Sequence, residues 1–164
     1  MLHLIWSQNG SLLRGWDSLT GVWGDGQVNQ GVCFPGQVTQ AQPIELSSSA
    51  RNGTLETLSN LKLYLAGDAM DIAIMQATYP ELGGGVEISF NRGLTYQTFS
   101  MTYGYEAVPN TWILLPKESV GLLGVDGVLQ PFESARFLIR YRIPANVDQF
   151  RAYSLRLEAD FDVL

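Results

Sequence analysis

The segment Tyr153-Ser-Leu-Arg-Leu-Glu-Ala-Asp-Phe-Asp-Val163 alternates apolar and polar residues along its whole length. A period of two places the apolar side chains on one face of a β-strand and the charged side chains on the other. The same alternation runs through Phe137–Ile143, where Leu138 is the one interruption, and through Leu61–Leu65 and Val86–Phe90. Strands with one buried and one wet face are typical of antiparallel sheets. The sequence therefore predicts an all-β fold.

Turn signals separate these strands at intervals that are typical of a β-sandwich. Phe90-Asn-Arg-Gly-Leu94 predicts a tight turn in which Gly93 takes a positive φ. Residues 143–149 are expected to join the last two strands as a hairpin, with Arg140 and Arg142 near Glu158 on the wet face. We therefore predict an antiparallel β-sandwich of the immunoglobulin-like or jelly-roll type.

Helix signals are weak. Thr54–Leu61 fits one helical turn, and Met70–Ala77 fits either a short helix or a strand. Thr95–Tyr103 and Thr111–Leu115 are predicted to be further strands, with prolines at their ends, where a missing N–H donor does least harm.

The composition divides the chain near Pro43. Residues 1–42 contain three of the four tryptophans, seven glycines and six glutamines, but only three charged residues. Residues 43–164 contain the other charges and the regular alternation, so they form the predicted sandwich domain. The first segment is too aromatic to be a free linker, and we expect an extended arm on a neighbouring subunit or hairpins that fold back on the sandwich.

Charge and cysteine content exclude several classes of protein. The net charge of −6 and the isoelectric point of about 4.6 argue against nucleic-acid binding, and a single cysteine excludes a disulfide scaffold. No apolar run approaches the roughly 18 residues of a membrane helix, so we expect no membrane partner. The N-terminus lacks the features of a signal peptide, which predicts synthesis and assembly in a cytoplasm without secretion.

No catalytic or metal-binding pattern stands out. His3 is the only histidine, and Cys33 has no neighbouring base in Gly31–Gly36 to activate it. The acidic residues do not follow the spacing of a calcium loop, although Asp160 and Asp162 share one strand face. We therefore expect no catalytic residues, no cofactor and no bound metal, and a protein that is not an enzyme.

Aromatic residues are the best candidates for a binding surface. Trp6, Trp16, Trp23 and Phe34 lie in the charge-poor segment, and aromatic side chains are enriched at the anchors of protein interfaces. Exposed tryptophans also stack on sugars, and Trp16, Trp23 and Trp112 are candidates for such a site. Protein contact is the stronger reading, with glycan binding as the alternative.

Val86-Glu-Ile-Ser-Phe-Asn-Arg-Gly-Leu-Thr-Tyr96 resembles a hairpin of β-sandwich domains in virion proteins of tailed bacteriophages. Asn91 stands where aspartate is more usual, and Tyr96 where tryptophan is more usual. Gly127–Phe132, Phe137–Pro144 and Arg151–Leu157 are similar to closing strands of such domains, so the resemblance covers residues 84–163.

The resemblance implies a structural subunit of a phage particle, located at the neck, tail, baseplate or capsid surface as a decoration protein. Its partners are then further copies of itself and other virion proteins. A carbohydrate- or receptor-binding module is the alternative function.

Overall fold

Every regular element in the described part of the chain is a β-strand. The computed structural model describes residues 4–8, 11–17, 22–25, 34, 36–48, 56–67, 85–98, 113–143 and 155–164 of the 164-residue chain. Its strands are β1 (Leu4–Gln8), β2 (Ser11–Asp17), β3 (Val22–Asp25), β4 (Gln42–Ser48), β5 (Leu58–Gly67), β6 (Gly85–Ser89), β7 (Gln97–Thr98), β8 (Ile113–Leu114), β9 (Ser134–Arg142) and β10 (Leu155–Val163). The predicted all-β class is confirmed.

The strands form two antiparallel sheets. One sheet has seven strands in the order β3-β2-β1-β4-β9-β6-β7, and the other has three strands in the order β10-β5-β8. Buried side chains of both sheets belong to one hydrophobic cluster. Two antiparallel sheets that enclose a common core form a β-sandwich, as the alternation predicts.

The core consists of the apolar positions that alternate along the strands. On β9, Phe137, Ile139 and Tyr141 are buried. Arg140 and Arg142, which alternate with the buried residues, reach the outer face. Burial of each large apolar side chain stabilises the fold by about 1.5–3 kcal/mol, so this shared face is the main source of stability. Among the residues whose side chains the structure describes, the buried apolar ones are Ile44, Leu46, Leu58, Leu61, Leu63, Val86, Ile88, Phe90, Leu115, Leu129, Ala135, Phe137, Ile139, Tyr141 and Ile143.

The first three strands extend the larger sheet. β1 pairs with β4 along its whole length, β2 pairs with β1, and β3 pairs with β2. The described parts of residues 1–42 thus pair as hairpins within this sheet. Their placement on the same sandwich or on a neighbouring subunit stays a prediction. β4 begins at Gln42, beside the composition boundary, and the division into segments 1–42 and 43–164 stays a prediction.

The predicted hairpin between the last two strands is wrong. β9 lies between β4 and β6 in the larger sheet, whereas β10 pairs with β5 in the smaller one. Alternation determines which face of a strand is buried, but it does not determine which strand lies beside it. Arg140 and Arg142 therefore bind Glu87 on β6, and not the acidic residues of β10.

The predictions for four further segments differ in their outcomes. The helical turn considered for Thr54–Leu61 is wrong in its described part, because β5 begins at Leu58. Met70–Ala77 lies outside the described residues. Thr95–Tyr103 and Thr111–Leu115 contain strands, but their described residues form only the two-residue strands β7 and β8.

The turn after β6 folds over the outer face of the sheet. Gly93 has a φ of +85°, as predicted, and its amide donates to Ser89 Oγ at 2.8 Å. Asn91 Oδ1 accepts from the Thr95 amide at 2.9 Å, and Asn91 Nδ2 donates to Thr95 Oγ1 at 2.7 Å. A Cβ atom on Gly93 would lie 3.3 Å from Leu138 Cδ1. The turn thus packs on Leu138, which explains why an apolar residue interrupts the alternation of β9.

Candidate functional site

The loop between β8 and β9 is built around a buried lysine. We call residues 116–133 the tip loop. Lys117 is only 1% exposed, and its Nζ donates to Glu133 Oε2. Its amide donates to Asp126 Oδ1 at 2.9 Å, and Glu133 Oε2 also accepts from the Gln130 amide at 2.8 Å. A buried charge is tolerated only when it is paired, so the ion pair ties the two ends of the loop together.

Backbone hydrogen bonds attach the tip loop to the smaller sheet. Leu61 N donates to Gly127 O at 2.8 Å, and Gly127 N donates to Leu115 O at 2.8 Å. Leu58 and Leu129 exchange two hydrogen bonds of 2.9 Å. The segment that resembles a closing strand, residues 127–132, therefore contributes one isolated bridge at Leu129 and then a turn.

Three large apolar side chains of this loop face solvent. Leu123 is 93% exposed, Val125 is 73% exposed and Phe132 is 87% exposed. Leu123 and Val125 flank Gly124, whose Cβ position lies 3.7 Å from Lys117 Cε, and Phe132 directly precedes the ion-pair partner Glu133. The ion pair therefore connects the segment that carries Leu123 and Val125 to the segment that carries Phe132. We call Leu123, Val125 and Phe132 the apolar tip.

Phe132 has an unusual backbone conformation. Pro131 and Phe132 occupy the central positions of a turn in which Glu133 N donates to Gln130 O at 3.2 Å. Phe132 has a φ of +66°, the left-handed region that glycine or asparagine normally provides at this position. A bulky residue there costs about 1–2 kcal/mol, and Phe132 does not regain this by burial. Backbone strain at an exposed aromatic residue points to a binding role.

A second cluster lies on the outer face of the larger sheet. Glu87 on β6 is the register partner of Arg140 on β9. Glu87 Oε2 accepts from Arg140 Nε at 2.6 Å, and Glu87 Oε1 accepts from Arg142 Nε at 3.0 Å. The guanidinium carbon of Arg140 lies 3.6 Å from the ring centroid of Tyr96, a cation–π contact. We call Glu87, Tyr96, Arg140 and Arg142 the arginine cluster.

The arginine cluster borders a cavity of about 420 Å³. The turn after β6 forms one side of this cavity, and its Asn91 network holds the backbone that leads to Tyr96. The lining residues are Glu87, Gly93, Leu94, Thr95, Tyr96, Gln97 and Arg140. Polar groups and one positioned guanidinium therefore surround a space large enough for a side chain or a small ligand.

Two carboxylates have shifted pKa values in these clusters. Burial raises the pKa of Glu87, but hydrogen bonds from Arg140 and Arg142 outweigh it and hold the pKa below its ordinary value. Burial likewise raises the pKa of Glu133, while hydrogen bonds from Lys117 and the Gln130 amide lower it overall. Both carboxylates therefore stay ionised below the usual pH range of such groups.

The four predicted interface residues occupy different places. Trp16 on β2 and Trp23 on β3 are register partners, and Trp6 on β1 is paired with Leu46 on β4. The side chains of these tryptophans lie outside what the structure describes. Phe34 is 62% exposed and precedes a stretch that runs along the end of β9. The backbone thus brings Trp16 and Trp23 together, and their role in contacts stays a prediction.

Sequence reasoning placed Arg140 and Arg142 on the wet face, but it missed their partner Glu87 and the residues of the tip loop. Leu123 and Val125 lie in the glycine-rich segment 121–127, which is notable in the sequence only for lacking a phosphate-loop lysine. No sequence pattern marks the buried state of Lys117 or the φ of Phe132.

The described residues contain no metal-type grouping. No three histidine, cysteine, aspartate or glutamate side chains gather there. His3 and Cys33 lie outside those ranges, as does Trp112. In the same described ranges, no helix has the length and apolar character to cross a membrane.

No family model, curated protein or solved structure matches this chain. The phage-virion resemblance of residues 84–163 therefore stays a prediction.

Replacement of Phe132 by asparagine should not destabilise the protein. Asparagine tolerates the left-handed conformation, so we expect the free energy of unfolding to be unchanged or to rise by up to about 1 kcal/mol. Urea denaturation measures this, with Phe137→Ala in the core as a comparison that should cost about 3–5 kcal/mol. A loss of more than about 1 kcal/mol in Phe132→Asn would show that Phe132 packs within its own chain.

Acid should weaken the fold through Glu87 and Glu133. A folded-state pKa below the unfolded value contributes stability that is present above the unfolded pKa and is lost as the pH falls through the folded one. The free energy of unfolding should therefore decrease as the pH falls below about 4.5, the ordinary pKa of a glutamate, and through the lower folded-state pKa values.

Glu133→Gln should reduce both the stability near neutral pH and the steepness of this decrease, because it removes one of the two linked carboxylates. The exposed Glu118→Gln variant of the same loop is the control and should follow the unchanged protein. Identical pH profiles for Glu133→Gln and the unchanged protein would contradict the role given to the ion pair.

Proposed function

We propose that this chain is a non-enzymatic structural subunit of a tailed-phage particle, at its neck, tail, baseplate or capsid surface. It acts through protein contacts with copies of itself and with other virion proteins. The observation that carries the contact role is the apolar tip. The assignment to a phage particle rests on the resemblance of residues 84–163, and the particle is assembled in the host cytoplasm.

The apolar tip has the properties of an interface anchor. Large apolar side chains exposed to water are unfavourable unless a binding partner covers them. Aromatic residues are also enriched among interface hot spots. The tip is held by a buried ion pair and by hydrogen bonds to β5, so little conformational freedom is lost when a partner binds. A rigid loop with Leu123, Val125 and Phe132 exposed therefore supports a docking role better than a catalytic one.

Glycan or receptor binding is the second candidate. The register of β2 and β3 places Trp16 directly opposite Trp23, and adjacent aromatic residues are a common platform for sugar rings. This reading depends on Trp16 and Trp23 and not on the apolar tip. Binding on a glycan array that survives tip variants and is lost in Trp16→Ala would favour it over the assembly role.

Polar substitutions at the apolar tip should remove the chain from particles. We expect Leu123→Ser combined with Phe132→Asn to lower the copy number in purified particles by at least about tenfold, because the hot-spot contacts are lost. The measurement is quantitative mass spectrometry of particles produced with tagged chain in place of the native one.

Leu123→Met is the matched control, because it keeps the position apolar and should be incorporated normally. Absence of the unchanged chain from purified particles would refute the proposed function. Normal incorporation of the doubly substituted chain would refute the docking role of the apolar tip.

A further inference from the structure

The arginine cluster has an unbalanced positive charge on an acidic protein. Arg136 and Glu45 form a balanced pair on the same face of the sheet, with Arg136 Nε 2.8 Å from Glu45 Oε2. Arg140 and Arg142 instead share the single carboxylate of Glu87, which leaves one positive charge in excess. The whole chain has a net charge of −6, so the arginine cluster differs in sign from the rest of the molecule.

The guanidinium of Arg140 is held in place before any ligand arrives. One side of it stacks on Tyr96, and its Nε is bound to Glu87. A guanidinium has five N–H donors in a planar fork that matches the geometry of a carboxylate. Since the bond to Glu87 uses the Nε donor, the Nη groups beside the cavity suit a second carboxylate.

Carboxylates of suitable charge lie on the opposite side of the same sandwich. Asp160 and Asp162 on β10 are exposed, whereas Ala159 and Phe161 pack against the core. Asp160 is the register partner of Lys62, so the two aspartates exceed the local positive charge by one. Because β10 belongs to the smaller sheet, its outer face points away from the outer face that carries the arginine cluster.

We infer that the cavity of the arginine cluster binds the Asp160 and Asp162 carboxylates of a second copy of this chain. Complementary surfaces on opposite faces of one subunit give a heterologous, head-to-tail contact, which builds rings or filaments. This inference rests on the proposed assembly function and specifies the partner and the geometry. Charge complementarity fixes the register of the copies, and the shared carboxylate Glu87 keeps the two guanidinium groups in place.

Self-association of the purified chain tests this geometry. Sedimentation velocity of the unchanged protein should show species larger than a dimer at low salt, and these should dissociate as salt screens the contact. Asp160→Asn combined with Asp162→Asn should weaken association by about tenfold, as should Arg140→Gln, because Arg140 lines the cavity. Both aspartates are exposed, so their variant should remain folded even if the arginine variant is less stable.

Mixing the two variants gives the decisive result. The Arg140→Gln copy keeps its aspartates, and the doubly neutralised copy keeps its arginines, so one good interface can form between them. We expect a one-to-one complex in the mixture and no larger species. Arg136→Gln is the matched control, because Arg136 is an exposed arginine on the same face but is not among the residues lining the cavity. It should associate like the unchanged chain.

Three outcomes would overturn the inference: a monomeric unchanged chain, variants that associate normally, or a mixture that stays monomeric. Each leaves the proposed function intact if the chain is still found in purified particles, so the two failures are distinguishable. If the unchanged chain is monomeric and Arg140→Gln reduces incorporation into particles, the cavity binds an acidic segment of another subunit, and the second copy is excluded as its occupant.

Discussion

The alternation of β9 is the constraint on which the rest of the sandwich depends. This strand lies between β4 and β6, and its buried side chains Phe137, Ile139 and Tyr141 form the part of the core that the smaller sheet covers. The same alternation places Arg140 and Arg142 on the outer face, opposite Glu87. One strand therefore supplies both the apolar layer that stabilises the fold and the charged surface that is available for recognition. A register slip of one residue would exchange these faces and destroy both.

The tip loop keeps large apolar side chains exposed to water and is nevertheless held in a defined conformation. Its stability comes from the pairing of Lys117 with Glu133, from backbone bonds to β5 and from burial of Leu129 in the core, whereas Leu123, Val125 and Phe132 are exposed. The exposed side chains consequently contribute little to the stability of the loop. Phe132 even adopts a left-handed backbone conformation that is unfavourable for phenylalanine. Separation of the supporting contacts from the exposed anchors makes the loop suitable for binding.

The sequence alone predicts the elements better than their partners. Alternation in Leu61–Leu65 and Phe137–Ile143 identifies strands and their buried faces, because a period of two leaves no other regular structure. Alternation does not predict that β9 lies between β4 and β6 and not beside β10, because several different neighbours are compatible with the same buried face. The apolar tip was not predictable. The burial of Lys117 depends on a glutamate sixteen positions away, and phenylalanine at position 132 does not indicate a positive φ. Composition pointed to the tryptophans as binding residues, whereas the ion pairs of the two clusters involve Arg140, Arg142 and Lys117.

The burial of Lys117 also determines the amine chemistry of the folded chain. Lys62 and Lys117 are the two lysines in the sequence, and the second has almost no exposed surface. Of these two lysines, Lys62 is therefore the one that reacts with amine-directed labels and cross-linkers in the folded protein. Lys62 is on β5 and is the register partner of Asp160 on β10. Labelling of Lys117 requires the tip loop to open, since its nitrogen is bound to Glu133 beneath the loop. The rate of that labelling thus gives a direct readout of how often the loop leaves the sandwich.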